Sequence, residues 1–182
     1  MKIGCIGLGL IGGSFALSMK RNFSNVQVFG MDKNFEHLQK ALTLNIIDQV
    51  LEESAWSEMD VVILSIPVDH SSLVLQQILD KIHPQALVMD MGSTKGQLCE
   101  AVAKNPKRHQ FLAAHPIAGT EFSGPEAAFD SLFDHKTMIL CEAEHTEASL
   151  LEIAKSLIAP LHMTLKYMGA KAHDKHLAYV SH

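Results

Sequence analysis

The chain has 182 residues, of which 47% are apolar and 19% charged, and its formal net charge is −5. That size and composition suit one soluble α/β domain with a proper core and room for a short appendage. No run of Lys or Arg offers a nucleic-acid footprint, no apolar stretch approaches membrane-spanning length, and Lys2 leads into a short strand rather than a secretory apolar core.

In chain order, the first fourteen residues organise the rest of the domain. The apolar run Ile3 to Ile6 leads straight into Gly7-Leu8-Gly9-Leu10-Ile11-Gly12, and a helical pattern begins at once through Ser14, Phe15, Ala16, Leu17 and Met19. This is the strand, glycine turn and helix of a dinucleotide fingerprint. Gly7 permits the tight turn, Gly9 lets the backbone approach a pyrophosphate, and Gly12 lets helix and strand pack closely. The N–H groups of the first helical turn, including Leu10 and Ile11, would face the phosphates, where the helix dipole favours negative charge. The next apolar run, Val26 to Met31, ends in Asp32. A carboxylate there can bond a ribose 2′-OH and repels a 2′-phosphate, so NAD is favoured over NADP, although Lys33 beside it weakens that preference. A plain glycine turn with an unrelated surface Asp is the alternative.

Asn34 is placed to cap a second helix running to about Leu44. Ile46 to Val50 is ambiguous, being short, apolar and without a clear period. Asp60 to Pro67 is a continuous apolar run ended by proline and reads as a central parallel strand. A helix comes next, from about Asp69 to Ile82, with Leu73, Ile78, Leu79 and Ile82 on its apolar face. Ala86 to Asp90 is the next strand, and Gly92-Ser-Thr-Lys95 opens a helix capped by Ser93 or Thr94. Phe111 to Ala114 is a strand that ends at His115-Pro116. From His115 to Asp134 the chain is rich in Gly, Pro, Ser and Glu and reads as a functional loop with a short helix. Lys136 to Cys141 and Met163 to Tyr167 are strands separated by a helix from about Thr146 to Leu157. A last helix begins near Ala170 and still runs at His182, which suggests that the natural protein continues. The alternation predicts a doubly wound, mostly parallel Rossmann-type sheet over residues 1–168, with 169–182 as the start of a further helical domain. Cys5, Cys99 and Cys141 are far apart in apolar or helical patterns and read as buried reduced thiols of a cytoplasmic protein.

Three strand ends converge on the ligand crevice of such a sheet: Ser65-Ile66-Pro67, Asp90 to Ser93, and His115-Pro116. The first would lie along the cofactor. The others put a hydroxyl, Ser93, and an imidazole, His115, where a nicotinamide would accept hydride. A histidine titrating near neutrality suits removal of an alcohol proton, and a nearby hydroxyl can orient it. Ser93 reads equally well as a helix cap, Lys95 as a solvated charge and Glu121 as a surface carboxylate. His173, His176 and His182 cluster on the last helix, but a metal site there lacks convergent carboxylates, and no metal is expected.

Gly7 to Ser14, Asp90-Met-Gly-Ser-Thr-Lys95 and His115-Pro-Ile-Ala-Gly-Thr-Glu-Phe-Ser-Gly124, in this order, resemble prephenate dehydrogenase, the tyrosine-pathway enzyme. Ala172 to His182 is similar to the start of that family's next motif. The resemblance implies NAD-dependent oxidative decarboxylation of prephenate to 4-hydroxyphenylpyruvate and carbon dioxide. It matches His115 to the family's catalytic histidine, Ser93 to the serine that bonds substrate and histidine, and Thr120 and Glu121 to the substrate pocket. Family members continue into a helical domain that forms the homodimer and supplies an arginine to the substrate. This chain alone is therefore expected to bind NAD and to turn over prephenate poorly. An arogenate dehydrogenase is the near alternative. A hydroxyacid or imine dehydrogenase is more distant, and a non-catalytic NAD-sensing module belongs to another class.

Overall fold

Short apolar runs punctuated by glycine, proline and polar turns become the strands of one sheet. The structure, a computed structural model, describes residues 1–180. Its strands are β1 (Lys2–Ile6), β2 (Gln27–Met31), β3 (Gln49–Val50), β4 (Val61–Leu64), β5 (Leu87–Asp90), β6 (Phe111–Ile117), β7 (Thr137–Cys141) and β8 (Thr164–Met168). Its helices are α1 (Leu10–Asn22), α2 (Phe35–Thr43), α3 (Val68–Lys81), α4 (Gly96–Val102), α5 (Ala148–Ile158) and α6 (Ala170–Val180). The sheet runs β3-β2-β1-β4-β5-β6-β7-β8. Pairing is parallel from β3 across to β6, antiparallel between β6 and β7, and parallel again between β7 and β8. The chain moves outward from β1 to β3 and then returns to the other side of β1 as β4. That reversal is the switch point at which a doubly wound sheet opens a crevice beyond its strand ends.

Alternation along the strands feeds two separate cores. Ile3 and Cys5, Val61 and Ile63, Leu87 and Met89, and Leu112 and Ala114 join Phe15, Met19, Ala154 and Leu157 on the face covered by α1 and α5. Ile6, Val62 and Leu64, Val88, and Phe111 and Ala113 join Leu75, Ile78, Leu98 and Val102 on the face covered by α3 and α4. Both faces being covered explains why the central strands read as unbroken apolar runs. The three cysteines are free and buried in these cores, and burial pushes each thiol up to about 12. Among the described residues no helix is long and apolar enough to cross a membrane.

Several local expectations hold. The Asn34 side chain accepts N–H bonds from Glu36 and His37 at the start of α2. The ambiguous stretch at Ile46 resolves into two buried anchors, Ile46 and Ile47, and then the two-residue edge strand β3. Gly30 makes room for it, since a Cβ there would meet Ile47 at 2.6 Å.

Two expectations are corrected. Leu73 is exposed, and the buried stripe of α3 is Ser71, Leu75, Ile78 and Leu79, because the helix begins at Val68 and its inward face is set by contact with α4. Neither Ser93 nor Thr94 caps α4. The Lys95 and Gly96 N–H groups instead donate to Asp174 of α6, at 2.8 and 2.7 Å. This cap comes from far along the chain and draws α6 onto α4, burying Ala170 and His173.

The tightest backbone approach lies between β1 and α1. Gly7 has φ +93, and a Cβ on it would lie 2.1 Å from the Ser65 carbonyl oxygen, while one on Gly12 would lie 2.0 Å from the Gly7 carbonyl oxygen. Neither neighbour can move without shifting a strand end. Gly12→Ala is expected to lower the unfolding free energy by about 1–3 kcal/mol, seen as an earlier urea midpoint.

Candidate active site

The glycine turn leaves the N-terminus of α1 open. Gly9 is its N-cap residue, no side chain caps the helix, and its first turn carries no acidic residue. The leading N–H groups of any α-helix lack intrahelical acceptors, so those around Leu10 and Ile11 are left to an outside anion. A Cβ added to Gly9 would meet nothing within 4 Å, unlike those at Gly7 and Gly12. Gly7 and Gly12 are therefore needed by the protein's own backbone, whereas Gly9 borders free space. Together they fit the pyrophosphate of a dinucleotide.

Asp32 comes directly after β2 and reaches back to this turn. Its Oδ2 accepts the Leu8 N–H at 2.9 Å and its Oδ1 accepts the Asn34 N–H at 2.8 Å. These bonds aim the carboxylate along the crevice, and each oxygen keeps a second acceptor position for a ribose hydroxyl. Ser65 comes directly after β4, across the switch point, with its N–H on the Ile6 carbonyl at 2.8 Å. Ser65 and Ile66 are partly buried against Gly7, and Pro67 is exposed at the rim.

The second half of the site is built on β5, β6 and α6. Asp90 pairs in register with Ala113. Ser93, three residues beyond Asp90, and His115, two beyond Ala113, thus lie at the same end of the sheet; β6 does not stop at His115 as expected but runs on to Ile117, because His115 and Pro116 stay paired with Ile139 and Met138 of β7. His115 is half-buried and lines a cavity of about 720 Å³ together with Thr120, Phe129, Lys136 and Leu177. Thr120 also accepts the Phe122 N–H at 3.1 Å through its hydroxyl. Glu121 is exposed on the same loop, outside the cavity lining.

The ring partner of His115 is not Ser93. Ser93 is exposed, and no hydrogen bond of its hydroxyl is present among the described residues. His115 Nδ1 instead lies 2.9 Å from Nε2 of His173, a fully buried residue of α6. His173 Nδ1 in turn lies 2.8 Å from Asp174 Oδ1. On sequence grounds His173 has a place in a rejected metal cluster with His176 and His182, and in the stretch from Ala172 that is similar to a family motif, with no role given to it; His182 lies outside the described residues. Nothing local marks His173 as buried. Its i,i+1 neighbour Asp174 is the one available signal, since a carboxylate next to a His can anchor that ring.

Lys95 is a further correction. It is fully buried, not solvated, and its ammonium bonds the equally buried Asp90. Burial pulls this ammonium down, opposed by the Cys141 and Cys99 sulfurs and by Asp174. Burial likewise lowers His115, to about 4, reinforced by repulsion from His173 and Lys95 and opposed by Asp174. The ring is therefore neutral near pH 7 and able to accept a proton. Burial alone would raise the Asp174 carboxyl, but bonds from His173 and from the Lys95 and Gly96 N–H groups outweigh it and hold the group below the usual carboxylate range.

A doubly wound sheet with an open helix N-terminus, an acidic residue after β2 and an imidazole near the end of β6 defines a dinucleotide-binding domain of the dehydrogenase type. Residues 15–167 match the family described as prephenate dehydrogenase, nucleotide-binding domain, and the chain belongs to that family. It is 33% identical over 180 residues to a prephenate dehydrogenase of Bacillus subtilis (strain 168), covering 97% of this chain and 48% of that protein. A solved prephenate dehydrogenase from A. aeolicus, in complex with hydroxyphenyl propionate and NAD+, is 32% identical with a TM-score of 0.89, covering 97% of this chain and 63% of that one. A Synechocystis arogenate dehydrogenase is 27% identical with a TM-score of 0.89, covering 100% of this chain and 64% of that one. The chain thus spans about half the length of the Bacillus relative and under two thirds of the two solved chains.

The geometry yields two expected outcomes. Gly9→Ala should leave stability within about 0.5 kcal/mol, because its Cβ meets open space. It should weaken dinucleotide binding roughly tenfold or more by displacing a charge-assisted hydrogen bond, as titration calorimetry would read. The depressed His115 pKa also makes stability depend on pH. Between about 4 and 6.5 the unfolded imidazole holds a proton that the folded one does not. Stability is therefore complete above 6.5 and is lost as pH falls toward 4, and denaturation curves of His115→Asn should show a shallower acid slope.

Proposed function

We propose that the chain is the cofactor-binding part of an NAD-dependent prephenate dehydrogenase, which oxidatively decarboxylates prephenate to 4-hydroxyphenylpyruvate and carbon dioxide. The observation that carries this reading is the half-buried imidazole of His115, which lines a cavity at the strand ends of a family nucleotide-binding domain. The A. aeolicus relative was solved with NAD+ and a hydroxyphenyl compound, which supports both the cofactor and the substrate class.

The residues divide the work. Gly7, Gly9 and Gly12 shape the turn, and the first-turn N–H groups at Leu10 and Ile11 receive the pyrophosphate. Asp32 takes the ribose hydroxyls and disfavours a 2′-phosphate, while Ser65, Ile66 and Pro67 border the dinucleotide across the switch point. Bound NAD would supply the hydride acceptor for the ring carbon that bears the hydroxyl. His115 Nε2 takes the proton of that hydroxyl as the carbonyl forms. The carboxylate on the opposite ring carbon then leaves as carbon dioxide, its bonding pair passes through the ring to the new carbonyl oxygen, and that oxygen takes back a proton as the phenol, so aromatisation drives the reaction forward. Ser93, exposed and free to turn at the same end of the sheet, bonds the substrate hydroxyl. Thr120 contributes a hydroxyl from the cavity wall, and Glu121 on the loop beside it guards the entrance. The whole enzyme works as a cytoplasmic homodimer, with residues from 169 onward leading into the helical domain that completes the substrate site.

Arogenate is the second reading of the substrate, because the Synechocystis arogenate dehydrogenase superposes as well as the A. aeolicus enzyme. Mixing the protein, NAD and each substrate in turn while following the absorbance of reduced cofactor separates the two. In the full-length enzyme His115→Asn should lower kcat by about 10²- to 10⁴-fold and leave NAD affinity unchanged. An unaltered rate in that variant would point instead to a non-catalytic NAD-binding module.

A further inference from the structure

A hydrogen-bonded line runs from the N-terminus of α4 to the candidate base. Lys95 and Gly96 donate their N–H groups to Oδ1 and Oδ2 of Asp174. Oδ1 also meets His173 Nδ1 at 2.8 Å, and His173 Nε2 meets His115 Nδ1 at 2.9 Å, with the two rings approaching edge-on. Each contact constrains the next. Backbone N–H groups can only donate, so the carboxylate of Asp174 is held as an acceptor on both oxygens. His173 must then present a proton at Nδ1. A neutral His173 has no second proton, so its Nε2 is an acceptor, and the proton in the next contact belongs to His115 Nδ1. That leaves His115 Nε2 bare.

We propose that His173 and Asp174 are positioning residues that lock His115 in its Nδ1–H tautomer, leaving the Nε2 lone pair as the base that faces the cavity. The inference rests on His115 being the base of the proposed reaction. The arrangement matches the general pattern in which a third group orients the base that serves the reacting hydroxyl, here with one extra ring inserted. Proton uptake at Nε2 requires no rotation, since the Nδ1–H bond to His173 persists. The Asp174 charge favours the imidazolium that forms, while Lys95 and a protonated His173 would oppose it. Protonation of His173 at Nε2 would reverse the His115 contact and move the His115 proton to Nε2, which blocks the base.

Nitrogen NMR of the ¹⁵N-histidine-labelled protein at neutral pH reads the tautomer directly, without turnover. The wild type should show His115 with a protonated Nδ1 and a bare Nε2. His173→Phe keeps a buried ring but removes the acceptor, so His115 should become a mixture of tautomers. His173→Gln restores an acceptor oxygen and should recover the wild-type pattern. In the full-length enzyme His173→Phe should reduce kcat at least about tenfold with the NAD KM unchanged. A wild-type His115 protonated at Nε2, or an unchanged His115 tautomer in His173→Phe, overturns the inference; the wild-type spectrum decides by itself if the variant does not fold. A wild-type Nδ1–H tautomer in a full-length protein that cannot oxidise prephenate would instead overturn the proposed function and leave the tautomer lock standing.

Discussion

The near-contact of three backbone segments is the constraint on which the structure depends. The Gly7 carbonyl occupies the space where a side chain on Gly12 would be, and the Ser65 carbonyl occupies the same space for Gly7. The first strand, the first helix and the strand across the switch point are thereby fixed to one another at a single spot. The near half of the candidate site is referenced to that spot: the open start of α1, the tethered carboxylate of Asp32 and the end of β4. The glycines here are set by packing as much as by ligand, and only Gly9 is free of that demand.

The far half of the site is held by polar contacts inside the fold. Asp90 and Lys95 are buried together where β5 gives way to α4. Removing one partner of such a pair typically costs about 3–5 kcal/mol, because the other is left as an uncompensated buried charge. Asp174 then fastens the start of α4 to α6, and through His173 to β6. A strand end, a helix start and the last helix thus share one network, so the placement of His115 depends on residues contributed by β5, α4 and α6 at once.

How much is legible in the sequence depends on the range of each interaction. The glycine turn, Asp32, the Asn34 cap and the central strands are all readable, because each is settled within a few residues or by a repeating pattern. The face of α3 is not: a helix tolerates an exposed leucine at Leu73, and only contact with α4 selects Leu75 instead. Ser93 and Thr94 have the type and position of caps, but a carboxylate arriving from α6 takes the role. Lys95 reads as solvated because lysine usually is, and its burial beside Asp90 depends on how the β5–α4 turn closes. His173 is hidden for the same reason: its partner lies on a strand distant in sequence, and no local spacing announces that meeting. The family resemblance points to His115 and pairs its ring with Ser93, whereas the folded chain supplies a histidine.

The three sequestered thiols have a use of their own. A sulfhydryl reacts with alkylating or oxidising agents as its thiolate, and one held near 12 is almost wholly protonated at physiological pH. Cys5 and Cys141 sit on strands near the middle and far side of the sheet, and Cys99 lies on the buried face of α4. Reagent can reach them only when the layers part. The protein therefore contains three built-in reporters of its own opening, spread from the cofactor half to the far half. Their relative rates of modification would show whether the two halves breathe together or separately.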